Sequence, residues 1–447
     1  MKTFFKTLIL LFFLALCGVA GYLFFTRMEG AAPQISVEGL PKLAGRRLSF
    51  TVRLRDSGSG LHRVRVLLLQ GRKHLLLREE TYPLSFWKGS SVKNVSYRFT
   101  ISPLEKGLGE GPARLVVEAW DASWRNALKG NQSRKAFPFA LDLTPPRITV
   151  LSSTVYIARG GSALVLYRVG EKARSGVRLN GRVFRGYPLK RGIYAALVAL
   201  PVSDTTVREF LVFAEDEAGN RLEIPVNYYL QRRRYPRVRM RISDGFLQRK
   251  MPEFLSRYPE AQKEDLLKTF LWVNQTLRQR NNQKIAEITS RPSEISFTLQ
   301  GPLKALPHSA KRSDFGEHRF YYYRGRRVSQ AWHLGLDLAS VAHSPVPAAA
   351  AGKVVFADYL GIYGNTVILD HGLGLYTLYA HLAGIEVQPG QRVSAGQIIG
   401  HTDTTGLAGG DHLHFSVLVQ GVFVNPMEWL DPRWVANRIL NPLSPYR

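Results

Sequence analysis

Apolar and polar positions change period several times along the chain, and each change marks a different kind of element. Thr7 to Phe25 carries no charge and is dominated by Leu, Phe, Ala and Val, a run long enough to cross a bilayer as a helix. The next stretches fall to period two. Arg47 to Asp56 sets Leu48, Phe50, Val52 and Leu54 against polar neighbours, and Val95, Tyr97, Phe99 and Ile101 repeat the pattern, so half-buried strands are expected. Between about Ala261 and Arg280 the period becomes helical, because Leu266, Phe270, Val273 and Leu277 fall on one stripe that should pack against a neighbouring domain. Thr289 to Ser313, broken by Pro292, Pro302 and Pro307, reads as extended. Near the C-terminal end the period returns to two. In Trp332 to Ala339 a strand would put His333, Gly335 and Asp337 on one face and Leu334, Leu336 and Leu338 on the other.

The β-rich part contains a weak repeat. Pro33-Gln34-Ile35-Ser36-Val37 is echoed by Pro146-Arg147-Ile148-Thr149-Val150, and Val117 to Asn126 is echoed by Phe213 to Asn220. Two units of several short strands suit sandwiches of the immunoglobulin type, and the Ala-x-Asp-x-x-Gly-Asn ending at Ala214 to Asn220 resembles bacterial immunoglobulin-like modules. The expected order is therefore a membrane segment at 1–28, one sandwich at 29–143, a second at 144–235, a basic linker with an amphipathic helix at 236–300, and a C-terminal domain at 301–447. Thr144-Pro145-Pro146 is the expected hinge between the sandwiches. The fold class is mainly β and multidomain.

Charge adds a direction. The 447 residues hold 61 Lys and Arg against 34 Asp and Glu, a net +27 that draws the chain toward polyanions. Lys2 and Lys6 before the apolar run should stay cytoplasmic, which places the rest outside the cytoplasmic membrane. A signal peptide would have a shorter apolar region closed by an Ala-x-Ala-like site; none follows Phe25, so an uncleaved anchor is expected. Nucleic acid is then not a partner, because an exported chain does not meet it and no nucleic-acid-binding motif is present. The arginines between Gln231 and Arg241 read first as a solvated face, and otherwise as a contact for anionic wall polymer or lipid headgroups. Cys17 is the only cysteine and lies within the apolar run, which leaves the exported part without disulfides or thiol ligands.

The candidate chemistry lies in the C-terminal stretch. Asp411-His412-Leu413-His414-Phe415 is a second alternating segment, with both histidines on one face. A catalytic zinc takes three protein ligands and keeps a fourth position open; His333, Asp337 and one histidine of the 412/414 pair supply that set. The other histidine of the pair would stand beside the site. His381, closing the strand-like run Leu375 to His381, is a further group of the same kind. An isolated His-x-His is ordinarily a structural pair, and only the joint occurrence of these five residues argues for a metal.

At these positions, between about Phe315 and Leu430, the sequence resembles the LytM or lysostaphin-type zinc metalloendopeptidases that cut peptide cross-links of bacterial cell walls. The resemblance rests on His333-x-x-x-Asp337, Tyr379-Ala380-His381-Leu382 and His412-Leu413-His414. It extends to the spacers Pro347 to Val355, Tyr363 to Ile368, Val387 to Val393 and Gly396 to Gly400. It implies an all-β duplicated hybrid-motif domain in which His333, Asp337 and His414 bind zinc while His381 and His412 serve catalysis, with peptidoglycan as substrate. Upstream sequence that shields the groove is a further expectation. Asp403, where the family often has glycine, is a departure that bears on the groove. The resemblance leaves a second function open, a non-catalytic envelope regulator that binds wall or activates a separate murein hydrolase. The immunoglobulin-like modules would then meet envelope proteins. The His-Glu-x-x-His signature of other zinc peptidases is absent.

The topology is directly testable. A reporter that matures only after export, fused at Arg241, is expected to be active; an inactive cytoplasmic reporter would remove any reading that needs the cell wall.

Overall fold

The computed structural model describes residues 2–446, with the side chains of residues 2 and 3 outside the description. By backbone contacts the chain divides into two compact units, Met1–Pro146 with Glu215–Arg221, and Arg147–Ala214 with Leu222–Arg447. The apolar run forms the expected helix, Lys2–Arg27, of which Phe4–Arg27 is long and apolar enough to cross a membrane by length and composition.

In the first unit a three-stranded and a five-stranded sheet face one core. Strand Leu48–Arg55 buries Leu48, Phe50, Val52 and Leu54, exposes Ser49, Arg53 and Arg55 and leaves Thr51 half-buried, as the alternation requires. It pairs with Asn94–Ile101 in the register Phe50↔Phe99, where the rings stack with centroids 5.1 Å apart. The repeat has a structural counterpart at its end: the Asp121 carboxylate accepts from the Asn131 amide at 2.8 Å, and Asp216 accepts from Asn220 at 2.9 Å. Asn131, and not the Asn126 that the alignment of the two stretches suggested, is the equivalent of Asn220, because a longer turn intervenes.

The second unit begins with a two-sheet sandwich, the sheets running Tyr187–Pro188, Ile193–Ala199, Ser162–Val169, Ile148–Val150 and Arg182–Arg185, Arg174–Leu179, Phe210–Glu215, Arg221–Pro225. This sandwich shares one hydrophobic core with the C-terminal residues. Polar contacts join them too, since Glu428 Oε2 accepts from the Ser162 amide at 2.9 Å and the Trp429 indole donates to Ser162 Oγ at 3.0 Å.

Residues 236–300 are built into the same unit. Arg237–Ile242 is a strand that pairs in parallel with His318–Tyr323, exposing Arg237, Arg239 and Arg241 on its outer face. Helix Asp244–Arg257 starts at Ser243, whose hydroxyl accepts from the Phe246 amide, and helix Leu266–Trp272 starts at Asp265, which accepts from the Lys268 amide at 2.7 Å. The expected stripe is present, with Phe270, Val273 and Leu277 buried. A π turn, Val273–Leu277, follows, and the helix then continues as Arg278–Thr289 beyond the apolar stripe. Buried Asn281 accounts for this: its Oδ1 accepts from the Ile362 amide at 2.9 Å, so a polar residue faces inward.

The C-terminal domain is a ten-stranded sheet whose central strands run Leu336–Ala339, Leu413–Val419, Leu375–Ile385, Asn365–Asp370 and Gly352–Tyr359. Trp332 to Ala339 is not one strand, as the alternation suggested. Arg326–Trp332 belongs to the sheet with His318–Tyr323, Leu336–Ala339 to the large sheet, and the chain crosses between them at residues 333–335. His343, His371 and His401 match none of the five candidate positions and read in the sequence as surface or groove residues, but His371 is in the interior. It is fully buried, its Nδ1 donating to the Ala351 carbonyl at 2.8 Å and its Nε2 at 2.8 Å from Thr377 Oγ1.

Burial holds the His371 pKa down, from 6.5 to about 4. The unfolded chain therefore binds more protons than the folded one as pH falls below 6.5, and stability is lost over that window by up to about 3 kcal/mol at pH 4. Denaturant titrations at pH 7 and pH 4 should show this loss reduced in His371→Asn, which does not titrate; an identical pH dependence in the two proteins would contradict it.

Candidate metal centre

The site is set first by strand register. Asp337 lies directly opposite His414 in the pair Leu336–Ala339 and Leu413–Val419, and His414 lies opposite Ala380 on its other side. One residue beyond Ala380, His381 takes φ +63°, a left-handed conformation that a non-glycine residue holds only under local constraint. There the strand stops pairing with Leu413–Val419, and Leu382 pairs with Thr402 instead. His333 is fixed outside any strand by two backbone bonds, its carbonyl accepting from Gly316 at 2.7 Å and its amide donating to Glu317 at 2.9 Å. Gly335 follows because a Cβ there would stand 2.6 Å from His414 Nε2.

Three donor atoms converge. Asp337 Oδ1 is 2.9 Å from His333 Nε2 and 2.9 Å from His414 Nδ1, and the two nitrogens are 3.1 Å apart. His333, Asp337 and His414 form a group able to hold a metal ion, and their exposures are 5, 9 and 6%. The hydrogen bonds around the site assign the tautomers. His333 Nδ1 meets the Asp314 carbonyl at 2.8 Å and must donate to it, so its Nε2 presents a lone pair to the Asp337 carboxylate. Two electron-rich atoms at 2.9 Å require a cation between them or a proton. Two imidazoles and a carboxylate match the donors zinc takes in a three-ligand site.

His381 and His412 stand beside this group. Their ring centroids are 4.9 Å apart, and His381 lies 5.8 Å from His414. Each donates Nδ1–H to a backbone carbonyl, His381 to Thr405 at 2.7 Å and His412 to Gly410 at 2.8 Å, so each carries its lone pair on Nε2. His412 Nε2 is 3.5 Å from Asp337 Oδ1. The backbone of Asp403 links the two, its amide donating to the His381 carbonyl at 2.9 Å and its carbonyl accepting from His412 at 3.3 Å. Burial, with repulsion from His412 and His414, holds the His381 pKa well below the ordinary histidine value. Burial also opposes protonation of His412, but the hydrogen bond and charge of Asp337 outweigh it and raise its pKa.

All five residues singled out in the sequence are thus in one place, and His343 and His401 are outside the group. Residues without a sequence signal complete it. Arg319 donates to Asp337 Oδ2 at 3.1 Å and to Glu317 at 2.9 Å, securing the carboxylate from behind. The Tyr363 ring packs edge-on to His414 with centroids 5.6 Å apart. The loop that carries Thr405 is tied to helix Asp244–Arg257: Glu253 Oε1 accepts from the Gly406 amide at 2.7 Å and from Tyr359 Oη at 3.0 Å, and Lys250 donates to the Thr404 carbonyl. A cavity of about 440 Å³ surrounds the group, and residues 240–249 with Phe270 and Arg278 form part of its wall.

Residues 331–426 match Peptidase family M23, and this C-terminal part of the chain is a domain of that family. DD-carboxypeptidase/endopeptidase Mpg of Neisseria meningitidis is 38% identical over 127 residues, 28% of this chain and 28% of that protein. Peptidoglycan DD-endopeptidase ShyA of Vibrio cholerae is 41% identical over 134 residues, 29% of this chain and 30% of its own length. Murein hydrolase activator EnvC of Escherichia coli is 36% identical over 96 residues, 22% and 23% of the two chains. The likeness thus spans less than a third of each of these relatives.

The tie between Glu253 and the loop beneath His381 has a measurable consequence. In Glu253→Ala the Gly406 amide loses its acceptor, and its hydrogen exchange should accelerate at least about tenfold. Unchanged protection would mean that the helix does not hold the loop.

Proposed function

We propose that this chain is a membrane-anchored zinc metalloendopeptidase that hydrolyses peptide cross-links of peptidoglycan. The observation that carries the reading is the convergence of His333 Nε2, Asp337 Oδ1 and His414 Nδ1 beside two further histidines in one cavity. His333, Asp337 and His414 would hold the ion, and His381 and His412 would handle protons. The peptidoglycan substrate is supported by the similarity to Peptidoglycan DD-endopeptidase ShyA, whose name gives that polymer.

When bound, zinc supplies Lewis acidity and brings the pKa of water at an open position to about 7. The protein does the rest. Arg319 keeps Asp337 ionised and aimed. Asp314 and Thr405 fix the tautomers of His333 and His381, and Gly410 that of His412. The Nε2 atoms of His381 and His412 accept a proton from the attacking water and return one to the leaving amine, which needs imidazoles that are oriented and not themselves ligands. The helix Lys2–Arg27 anchors the chain, and the two sandwiches serve as spacers or binding arms between membrane and wall. The wall of the cavity contributed by residues 240–249 restrains access to the site.

The two histidines flanking Leu413 separate metal binding from proton transfer. His414→Ala removes a ligand, so zinc content and peptidoglycan turnover should fall together. His412→Ala and His381→Ala should keep near-stoichiometric zinc and lose about 10² to 10⁴ in rate. Elemental analysis beside turnover, with melting temperature to confirm folding, reads both quantities. Zinc lost in His412→Ala and kept in His414→Ala would reverse the assignment.

A further inference from the structure

The cavity that holds the five residues is strongly basic for reasons the metal and the proton transfers do not explain. Arg241, Arg249, Arg278 and Arg319 line it, against the single carboxylate of Asp337. Arg319 is accounted for by its bonds to Glu317 and Asp337. Among the described residues, Arg241, Arg249 and Arg278 form no ion pair.

Arg278 is the most constrained of the three. It follows the π turn Val273–Leu277, a local irregularity that recurs at functional sites because it re-aims the side chains around it. Its Nε and Nη2 donate to Asn274 Oδ1 at 3.2 and 2.7 Å, and Nε also reaches the Asn274 carbonyl at 3.2 Å. Asn274 is 1% exposed and is held in turn by Ser329 Oγ at 2.8 Å. The guanidinium is therefore oriented by a buried neutral amide, which leaves its charge uncompensated. Arg278 lines the same cavity as the five candidate residues and as Tyr363, whose ring lies against His414. An oriented, half-buried guanidinium without an anionic partner is suited to bind a carboxylate from outside, since charge-assisted Arg–carboxylate bonds are among the strong polar contacts.

We propose that Arg278, assisted by Arg249, is a carboxylate-binding subsite that selects peptides carrying a free carboxylate next to the scissile bond. The proposal rests on the peptidase reading, and it names the substrate feature that the cavity recognises. It also assigns residues 244–278 a part in specificity in addition to closing the cavity.

The test uses the full chain in detergent, loaded with zinc and carrying His412→Ala so that turnover does not intrude on binding. Two synthetic wall-type peptides, identical except that one ends in a free carboxylate and the other in a carboxamide, are titrated calorimetrically. The acid form should bind at least about tenfold more tightly, and the added substitution Arg278→Gln should abolish that preference. Arg278→Lys, which keeps the charge and loses the planar fork, should retain part of it, and it serves if Arg278→Gln does not fold. Equal affinity for the two peptides, no binding of either, or a full preference surviving Arg278→Gln would overturn the subsite. Fragment release from isolated peptidoglycan by the unsubstituted chain is scored separately. Selective binding without any release would overturn the hydrolase reading and leave the subsite standing.

Discussion

The site depends on one register. Asp337 and His414 face each other across adjacent antiparallel strands, and because side chains alternate with a period of two, a slip of one residue would turn both to the opposite face. Leu336 and Leu338 on one strand and Leu413 and Phe415 on the other fix that register, for all four are buried and a slip would bring them to the polar side. The greasy face of the sheet thus determines the polar one. His333 then completes the group from outside the sheet, held by backbone bonds that leave its ring no freedom to choose a tautomer.

Around this group the chain repeats a single device. His333, His381 and His412 each spend Nδ1 on a backbone carbonyl and present Nε2 to the cavity. Such carbonyl contacts orient an imidazole and fix which nitrogen is available, the role that outer contacts play around metal ligands generally. All three carbonyls lie in loops, and the one at Thr405 is steadied by helix Asp244–Arg257 through Glu253 and Lys250. The helical residues upstream of the sheet therefore belong to the architecture of the site.

Much of this was legible in the sequence, for identifiable reasons. The donor residues are of few types and sit in short alternating segments, so their chemistry showed before their geometry did. The helix at 266–277 and the strand at 48–55 showed because one face of each is apolar. Other features left no such mark. Trp332 to Ala339 looks like one strand because alternation is blind to a change of sheet at residues 333–335. Arg319 acts through its ion pair with Asp337, and Glu253 through hydrogen bonds from Tyr359 and Gly406, and an arginine or a glutamate carries no local sign of such a partner. A buried histidine such as His371 looks in sequence like a surface one, because its partners Ala351 and Thr377 leave no local mark. The helix continues beyond Arg280 to Thr289 without a sequence mark, since its inward residue Asn281 is polar.

The central claim is that the converging donors hold a zinc ion with which the chain cuts the wall polymer. Isolated peptidoglycan incubated with the purified chain, followed by mass analysis of the soluble fragments, tests it most directly. The account predicts peptide-bond cleavage products that vanish with a chelator and return on adding zinc. Fragments that form equally well in chelator, or none from a zinc-loaded chain, would contradict it.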